Sequence, residues 1–476
     1  MTGAEEVLAI PDRAAYRRIF GVETEYGLSW AGGALDPQEA ARELFSEVVE
    51  WGRSSNVFLT NAGRLYLDVG AHPEYATAEC DNLTDLIAQE AAGDRILAGM
   101  AARTEARLNE AGRSGKLHLF KNNVDSAGHS FGCHENYLIR RSADIPALHR
   151  RLIPFLVVRQ LIAGAGHVLA SPRGARYVYS QRADHVWESV SSATTRSRPM
   201  INTRDEAHAD GALYRRLHVI VGDSSMCQAT QLVKIGSTDL VLRLIEAGAK
   251  LPDIDLASPT HAIRNVSHAL PGSALIALSD GREMTGLDIL ESYLEAVEAS
   301  ISAAGLSTDA VGPSDAAVLD LWRRGVDALR RSDTSSVDRE LDWAIKRRLI
   351  ERYQDRSGAS LLDPRVARLE LAYHDIGPAG LLPRLEAAGQ AVRLVDEAQV
   401  RDGIVHAPGS TRAALRGRFV TAALAAKADY SVDWTHLKLT SPQVETVTLL
   451  DPFAAVDERV DRLIEALDDP KEASEA

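Results

Sequence analysis

The chain has 476 residues, with 53 Lys and Arg against 67 Asp and Glu, a formal net charge of −14. That balance argues against a nucleic-acid binder, which needs a basic footprint for the phosphates, although a local basic patch can sit on an acidic protein. With 45% hydrophobic and 25% charged residues, disorder, collagen and coiled coil are excluded as the main state, and the length suits one large domain or two to three smaller ones.

Residues 1–14 read as a frayed, acidic tail. Arg18 to Leu28 (Arg-Ile-Phe-Gly-Val-Glu-Thr-Glu-Tyr-Gly-Leu) reads as a strand, with Glu23 and Glu25 on one face because the side-chain period is two. Residues 36–51 follow helical periodicity, with Asp36 as N-cap and Pro37 in the first turn. Asn61-Ala-Gly-Arg64 is a turn that feeds a short strand, Leu65 to Val69. Residues 82–112 are helical in pattern; Leu117–Lys121 and Cys133–Ile139 read as strands around a polar loop. The pattern over 144–168 is mostly helical, with a kink or break expected at Pro154. Leu152 to Ala170 is the longest apolar run, but Arg159, Gln160 and His167 interrupt it, so a buried element is expected rather than a membrane span.

Residues 214–222 read as a buried strand and 227–249 as a helix. From 285 to 355 the pattern is helical around an Asp/Ser/Gly/Pro-rich break at 306–315. A boundary is expected near 405–411, followed by a helix (412–427), a strand (431–439) and an amphipathic helix (454–467). The expected division is a tail (1–14), a large domain (15–405) and a small C-terminal domain (406–476). Short strands separated by loops and helices indicate α+β rather than a regular βαβ series. Three cysteines, Cys80, Cys133 and Cys227, cannot all pair and form no CxxC. With no signal-peptide pattern at the N-terminus, a reducing, cytoplasmic setting is expected.

Four constellations could carry chemistry. Glu23-x-Glu25 places two carboxylates on one strand face; they repel unless a cation such as Mg²⁺ sits between them, and a solvated edge is the plain alternative. Arg64-x-Tyr66-x-Asp68, followed by His72-Pro-Glu74-Tyr-Ala-Thr77-Ala-Glu79, puts an acid and a base on an otherwise apolar strand. Such a face either lines a polar cleft or carries a surface ion pair. His134 and Asn136 share a strand face, and there a hydrogen-bonded structural histidine is the preferred reading. Last, the stretch 188–205 holds Arg196, Arg198 and Arg204 among hydroxyls, with Arg215, Arg216 and His218 nearby. Guanidinium forks suit phosphate oxygens, so an anion site is preferred over salt bridges.

Several familiar signatures are absent: no Gly-x-x-x-x-Gly-Lys-Ser/Thr loop, no Gly-x-Gly-x-x-Gly after a strand, no His-Glu-x-x-His. One Gly-x-Ser-x-Gly occurs at Gly128–Gly132, but a loop precedes Ser130 and a strand follows, unlike a nucleophile elbow. Carboxylates plus arginines remain, a set suited to nucleotide-dependent phosphoryl transfer without a P-loop.

Long blocks make the sequence recognisable. Residues 18–27 (Arg-Ile-Phe-Gly-Val-Glu-Thr-Glu-Tyr-Gly), 61–81, 121–128, 132–138, 191–199, 202–206 and 215–223 resemble the Pup–protein ligase family, and so do Glu-Leu-Asp-Trp-Ala-Ile-Lys (340–346), Tyr-His-Asp-Ile (373–376), Val-Asp-Trp (432–434) and Asp-Pro-Phe (451–453). The resemblance implies a glutamine-synthetase-like carboxylate–amine ligase fold, with a curved antiparallel sheet, helices and a small C-terminal domain. It implies that ATP phosphorylates the side-chain carboxylate of the C-terminal glutamate of the small modifier Pup, and that a lysine of a target protein then displaces phosphate, marking that protein for the proteasome. By match to the family motifs, Glu23, Tyr66 and Glu74 are expected Mg²⁺ ligands, Arg64, Thr77 and Trp434 expected ATP contacts, and Asp68 the expected catalytic base. Strand register adds Glu25 as a metal ligand; Arg196, Arg198, Arg204, Arg216 and His218 are inferred to lie in the phosphate or metal region. Alternatives are the Pup deamidase/depupylase of the same fold, a silent Pup-binding protein, and a glutamate–cysteine ligase-like enzyme. The depupylase typically reads Asp-His-Ala-His-Pro-Glu-Tyr where this chain has Asp68-Val-Gly-Ala-His-Pro-Glu-Tyr, and carries an extra early loop, so the ligase is favoured.

Overall fold

The computed structural model describes residues 17–68, 70–141, 144–193, 198–304, 313–441 and 444–468. The expected N-terminal tail (1–14), residues 306–312 of the expected break at 306–315 and Arg196 lie outside them; the last three residues of that break open the helix Pro313–Arg331. The scaffold is an eight-stranded sheet built from β1 (Phe20–Glu25), β2 (Asn56–Phe58), β3 (Arg64–Leu67), β4 (Pro73–Ala76), β5 (Cys133–Arg140), β6 (Glu188–Ser191), β7 (Pro199–Asn202) and β8 (Tyr214–Val219). Its order is β6-β7-β8-β5-β1-β4-β3-β2. Every neighbouring pair is antiparallel except β6 and β7. This is the expected α+β class with an antiparallel-dominated sheet.

The two faces differ in kind. One is apolar: Phe20 and Val22 of β1, Cys133 and Tyr137 of β5, and Leu217 and Val219 of β8 belong to the main core. Helices cover that face. Gln228–Glu246 is buried from Ala229 to Leu244, which makes it the central helix of the molecule. Buried charges on the covered side find partners, as burial requires. Glu135 of β5 takes Arg159 Nη2 at 2.6 Å, and Arg18 Nε reaches Asp239 at 2.7 Å. The opposite face is polar and carries the site described below.

Several elements depart from the sequence pattern. The first strand does not run to Leu28. It ends at Glu25, and Gly27–Ala31 leaves the sheet to pair with Lys116–Phe120. Tyr26 and Trp30, both buried, belong to a second core with Leu44, Phe45 and Leu97, so packing redirects the chain. The helix 145–158 passes through Pro154 without ending there, and a separate short turn of helix follows at Gln160–Ala163. The expected strand 431–439 is a hairpin, Tyr430–Val432 and His436–Leu439, whose turn carries Trp434. With Glu445–Thr448 and the helices Ala413–Ala425 and Glu458–Asp468 it surrounds a separate core that includes Phe419, Leu439 and Leu463. Among the described residues no helix is long and apolar enough to cross a membrane.

Candidate active site

Antiparallel register aligns the polar face. Residues directly opposite one another point to the same side, so Glu23↔His134, Glu23↔Ala76, Glu25↔Glu74, Tyr66↔Glu74 and His218↔Asn136 form rows across four seams. Two clusters result, each with ligand atoms close enough to share one cation: Glu23, His134 and His218, and Glu25, Asp68 and Glu74.

In the first cluster His134 Nδ1 lies 3.2 Å from Glu23 Oε2, and Asn136 donates to Glu23 Oε1 at 3.1 Å. Arg216 Nη1 stands 3.5 Å from the same carboxylate and donates to Asn136 Oδ1 at 2.9 Å. Burial alone would raise the Glu23 carboxyl, but the His134 hydrogen bond and the neighbouring His218, His134 and Arg216 hold it well below the usual carboxylate range. His218 is pushed down to about 3, chiefly by burial, so its ring is neutral at pH 7, and neither ring nitrogen has a hydrogen-bond partner. Neutral imidazole and carboxylate together make a donor set with open lone pairs.

The second cluster is all oxygen. Burial raises the Glu74 carboxyl well above its ordinary value, and Glu23, Glu25 and Asp68 raise it further. Tyr66 Oη donates to Glu74 Oε1. Burial and the Glu23 and Glu74 carboxylates push the phenol far up, so it stays protonated. Crowded carboxylates suit a hard divalent ion such as Mg²⁺, which Glu25 and Glu74 with Tyr66 would hold and whose charge would relieve the repulsion and return Glu74 to the ionised form. His134 links the clusters, because its Nε2 lies 3.7 Å from Glu25 Oε1. Gly132 permits that approach: a Cβ there would sit 2.3 Å from His134 Nε2 and 2.7 Å from Glu25 Oε1.

Asp68 lies just past the end of β3, exposed, at the rim of the face. A tight turn presents it: Asp68 N–H donates to the His72 carbonyl at 3.0 Å and Ala71 N–H to the Asp68 carbonyl at 3.0 Å. The turn needs Gly70, whose φ is +98°.

Beside Glu23 the face opens into a cleft of about 570 Å³ lined by Gly21, Glu23, Thr77, His208, Arg216 and Trp434. Thr77 is buried, and its Oγ1 accepts from Val22 N–H at 3.1 Å. Trp434 stacks edge-on against Phe58, with ring centroids 4.9 Å apart, and His208 faces it at 6.1 Å. Arg416 fixes the indole from behind, its guanidinium 5.0 Å from the ring and its Nη1 donating to the Trp434 carbonyl at 3.1 Å. Arg416 and Arg412 both grip the buried Glu79 carboxylate, Arg412 at 2.8 Å. Arg64 lies over the Tyr66 ring at 4.5 Å and donates to Asn56 Oδ1 at 2.8 Å.

A family model described as Pup-ligase protein matches residues 18–438. The chain belongs to the Pup-ligase family. The Pup–protein ligase of Xylanimonas cellulosilytica is 56% identical over 95% of this chain and 100% of its own length. That of Sanguibacter keddieii is 55% identical over 95% of this chain and 99% of its own. Among solved structures, the complex between prokaryotic ubiquitin-like protein Pup and its ligase PafA superposes with a TM-score of 0.90 at 45% identity, covering 95% of this chain and 92% of that one. PafA in complex with ADP gives a TM-score of 0.83 at 47% identity, covering 94% and 96%.

In this Pup-ligase chain all eight expected site residues fall on or beside one face: Glu23, Glu25, Arg64, Tyr66, Asp68 and Glu74 along three adjacent strands, Thr77 and Trp434 at the cleft. The basic stretch divides. Arg216 and His218 reach Glu23. Arg204 is exposed, its Nε 3.3 Å from the Ser192 carbonyl of its own loop, and Arg215 turns away to Asp205. Arg198 is half-buried with φ +38°, and Arg196 is outside the described residues. His134, which the sequence reading set aside as structural, faces both Glu23 and Glu25; the Glu-x-Glu and His-x-Asn motifs share one two-residue period, the signal that pairs them. His208 and the Glu79–Arg412–Arg416 group have no local motif.

Proposed function

We propose that the chain is an ATP- and Mg²⁺-dependent ligase that phosphorylates the side-chain carboxylate of the C-terminal glutamate of Pup and joins it by an isopeptide bond to lysine side chains of target proteins. The observation that carries the reading is the continuity of one face: an aromatic cleft, a carboxylate–imidazole cluster around Glu23 and an all-carboxylate cluster with Asp68 exposed at its rim follow one another along β1, β3 and β4. Family membership at 56% identity to a Pup–protein ligase favours this over the depupylase and the silent binder.

In this reading Trp434, His208 and Thr77 hold the adenine end of ATP, and Arg64 and Arg216 steady its phosphates. Glu23, Glu25, Tyr66 and Glu74 would hold Mg²⁺. When bound, the ion neutralises phosphate charge and aligns the γ-phosphoryl group. A γ-carboxylate oxygen of Pup's terminal glutamate attacks the γ-phosphorus and the bond to the β-phosphate bridging oxygen breaks, giving γ-glutamyl phosphate and ADP. A lysine has an ordinary pKa of about 10.4 and arrives protonated. Asp68, exposed where an acceptor can approach, takes its proton as the amine nitrogen bonds to the acyl carbon, and phosphate leaves. Residues 15–405 supply the sheet and its helices; 406–476 act as the small domain that brings Trp434 to the nucleotide.

Mixing the chain with ATP, Mg²⁺, Pup ending in glutamate and a lysine-bearing protein tests the reading. A conjugate band that requires ATP and vanishes on chelation of divalent ions is expected. Cleavage of preformed conjugate without ligation would make the chain a depupylase, and Pup binding with neither activity a silent binder.

A further inference from the structure

Six arginines are buried among the described residues. Five hold carboxylates: Arg18 on Asp239 and Glu246, Arg159 on Glu135, Arg243 on Asp315, and Arg412 and Arg416 on Glu79. The sixth, Arg182, is 5% exposed, and its Nε and Nη1 are buried without a hydrogen-bond partner. Leaving guanidinium donors unpaired in a protein interior is costly, so such a group points to an acceptor that arrives from outside.

The segment bearing Arg182 is held rigidly. The Asp223 carboxylate accepts from Ala165 N–H at 2.9 Å, Ser180 Oγ–H at 2.9 Å, and the Gln181 and Arg182 N–H groups at 3.1 Å. Its oxygens are thus engaged by other donors. Gln181 Oε1 accepts from Asn123 N–H at 2.7 Å, and Asn123 Nδ2 donates to the Phe131 carbonyl at 3.2 Å. Next to Phe131, the Gly132 carbonyl bonds Glu25 N–H at 3.2 Å. These links tie the Arg182 segment to the end of the sheet where β1 finishes at Glu25. Burial lowers the affinity of its guanidinium for the proton, while the charges of Glu25 and Asp223 oppose that effect and Arg198 adds to it.

Along β1 the aromatic cleft lies beside residues 19–23, the two clusters centre on Glu23 and Glu25, and the segment bearing the buried, unpartnered Arg182 joins at the Glu25 end. A nucleotide in the cleft directs its phosphates toward the carboxylates, so the acceptor of the phosphoryl group lies next in line. A C-terminal glutamate has two carboxylates. One is phosphorylated; the other, on the main chain, stays anionic and enters the protein with it. A guanidinium fork matches a carboxylate in two parallel hydrogen bonds. We propose that Arg182 binds the main-chain carboxylate of the terminal glutamate, so that the enzyme selects a free chain end rather than a glutamate side chain as such. The inference rests on the ligase reading above and adds a specificity-determining residue to it.

The test compares Pup ending in glutamate with Pup whose terminal main-chain carboxylate is an amide, using the full chain and its Arg182→Gln and Arg182→Lys variants. For the unaltered chain, KM is expected to rise about 10- to 100-fold for the amide, the range for losing a charged hydrogen-bonding partner. Arg182→Gln should raise KM for the free acid by a similar factor and treat the two substrates alike, with ADP affinity and melting temperature unchanged; Arg182→Lys should retain part of the discrimination. Equal KM for acid and amide with the unaltered chain overturns the proposal without relying on any variant's folding. Weakened ADP binding in Arg182→Gln with discrimination intact also overturns it, by moving Arg182 to the phosphates. An unaltered chain that ligates neither substrate refutes the ligase reading instead.

Discussion

Asp68 and Glu74 lie in one cluster and experience opposite surroundings. Glu74 is buried against other carboxylates and against Tyr66, a setting for gripping a cation. Asp68 stands exposed on a glycine turn at the rim, open to an incoming amine. In the proposed reading this difference in exposure assigns metal binding to Glu74 and proton transfer to Asp68. Asp68→Asn should lower the ligation rate by about 10²- to 10⁴-fold, the usual contribution of a positioned general base. ADP affinity should hardly change, because the substitution leaves Thr77, Trp434 and the Glu23 cluster untouched. Steady-state ligation and a nucleotide-binding titration on the same preparation check this, and full ligation in the variant would remove Asp68 from the base role. Trp434 makes a second expectation at this scale. Stacking of a base on an aromatic ring contributes about 1–3 kcal/mol, so Trp434→Ala should weaken ADP binding by about 5- to 150-fold, measurable in the same titration.

The period of two in β1 and β5 explains why so much of the site was legible from the sequence. Glu-x-Glu, His-x-Asn and Arg-x-Tyr each put like-facing side chains on one strand, and a single antiparallel register joins them. What the pattern does not encode is which strand neighbours which. His134 looked like an ordinary core histidine because its partners, Glu23 and Glu25, lie more than a hundred residues earlier in the chain. Nor does periodicity mark where packing redirects a chain. Gly27–Ala31 continues the β-pattern of β1, yet Tyr26 and Trp30 draw it into another core. Asp433-Trp434-Thr435 likewise reads as mid-strand, and becomes a turn because Asp433 Oδ1 accepts from the N–H groups of Thr435 at 2.7 Å and His436 at 2.8 Å.

At the scale of the whole molecule, the Trp434 cleft is finished by two parts of the chain more than 300 residues apart. The Glu79 carboxylate, just beyond β4, binds Arg412 and Arg416, while Thr411 Oγ1 donates to the Glu79 carbonyl at 2.8 Å. Arg416 in turn positions Trp434. Burial alone would raise the Glu79 carboxyl, but the two guanidiniums bring it down to about 2 from an ordinary 4.5. A depressed folded-state pKa stabilises the fold above the unfolded value, and that contribution is lost as pH falls from about 4.5 toward 2. Glu79→Gln leaves two buried guanidiniums without their charge partner, so a loss of about 3–5 kcal/mol is expected near neutral pH. Denaturation of both proteins across pH should show the gap narrowing through that acid window. A gap independent of pH would mean that Glu79 contributes by packing and hydrogen bonding rather than by charge. The same tether predicts weaker ADP binding in the variant, because Trp434 loses its support.

The claim on which the account turns is that this face activates a carboxylate by phosphorylating it. Labelling both side-chain carboxylate oxygens of Pup's terminal glutamate with oxygen-18, running ligation to completion and weighing the released phosphate by mass spectrometry tests it directly. Transfer through γ-glutamyl phosphate predicts one labelled oxygen in each phosphate released. Phosphate free of label, with conjugate formed, would contradict it.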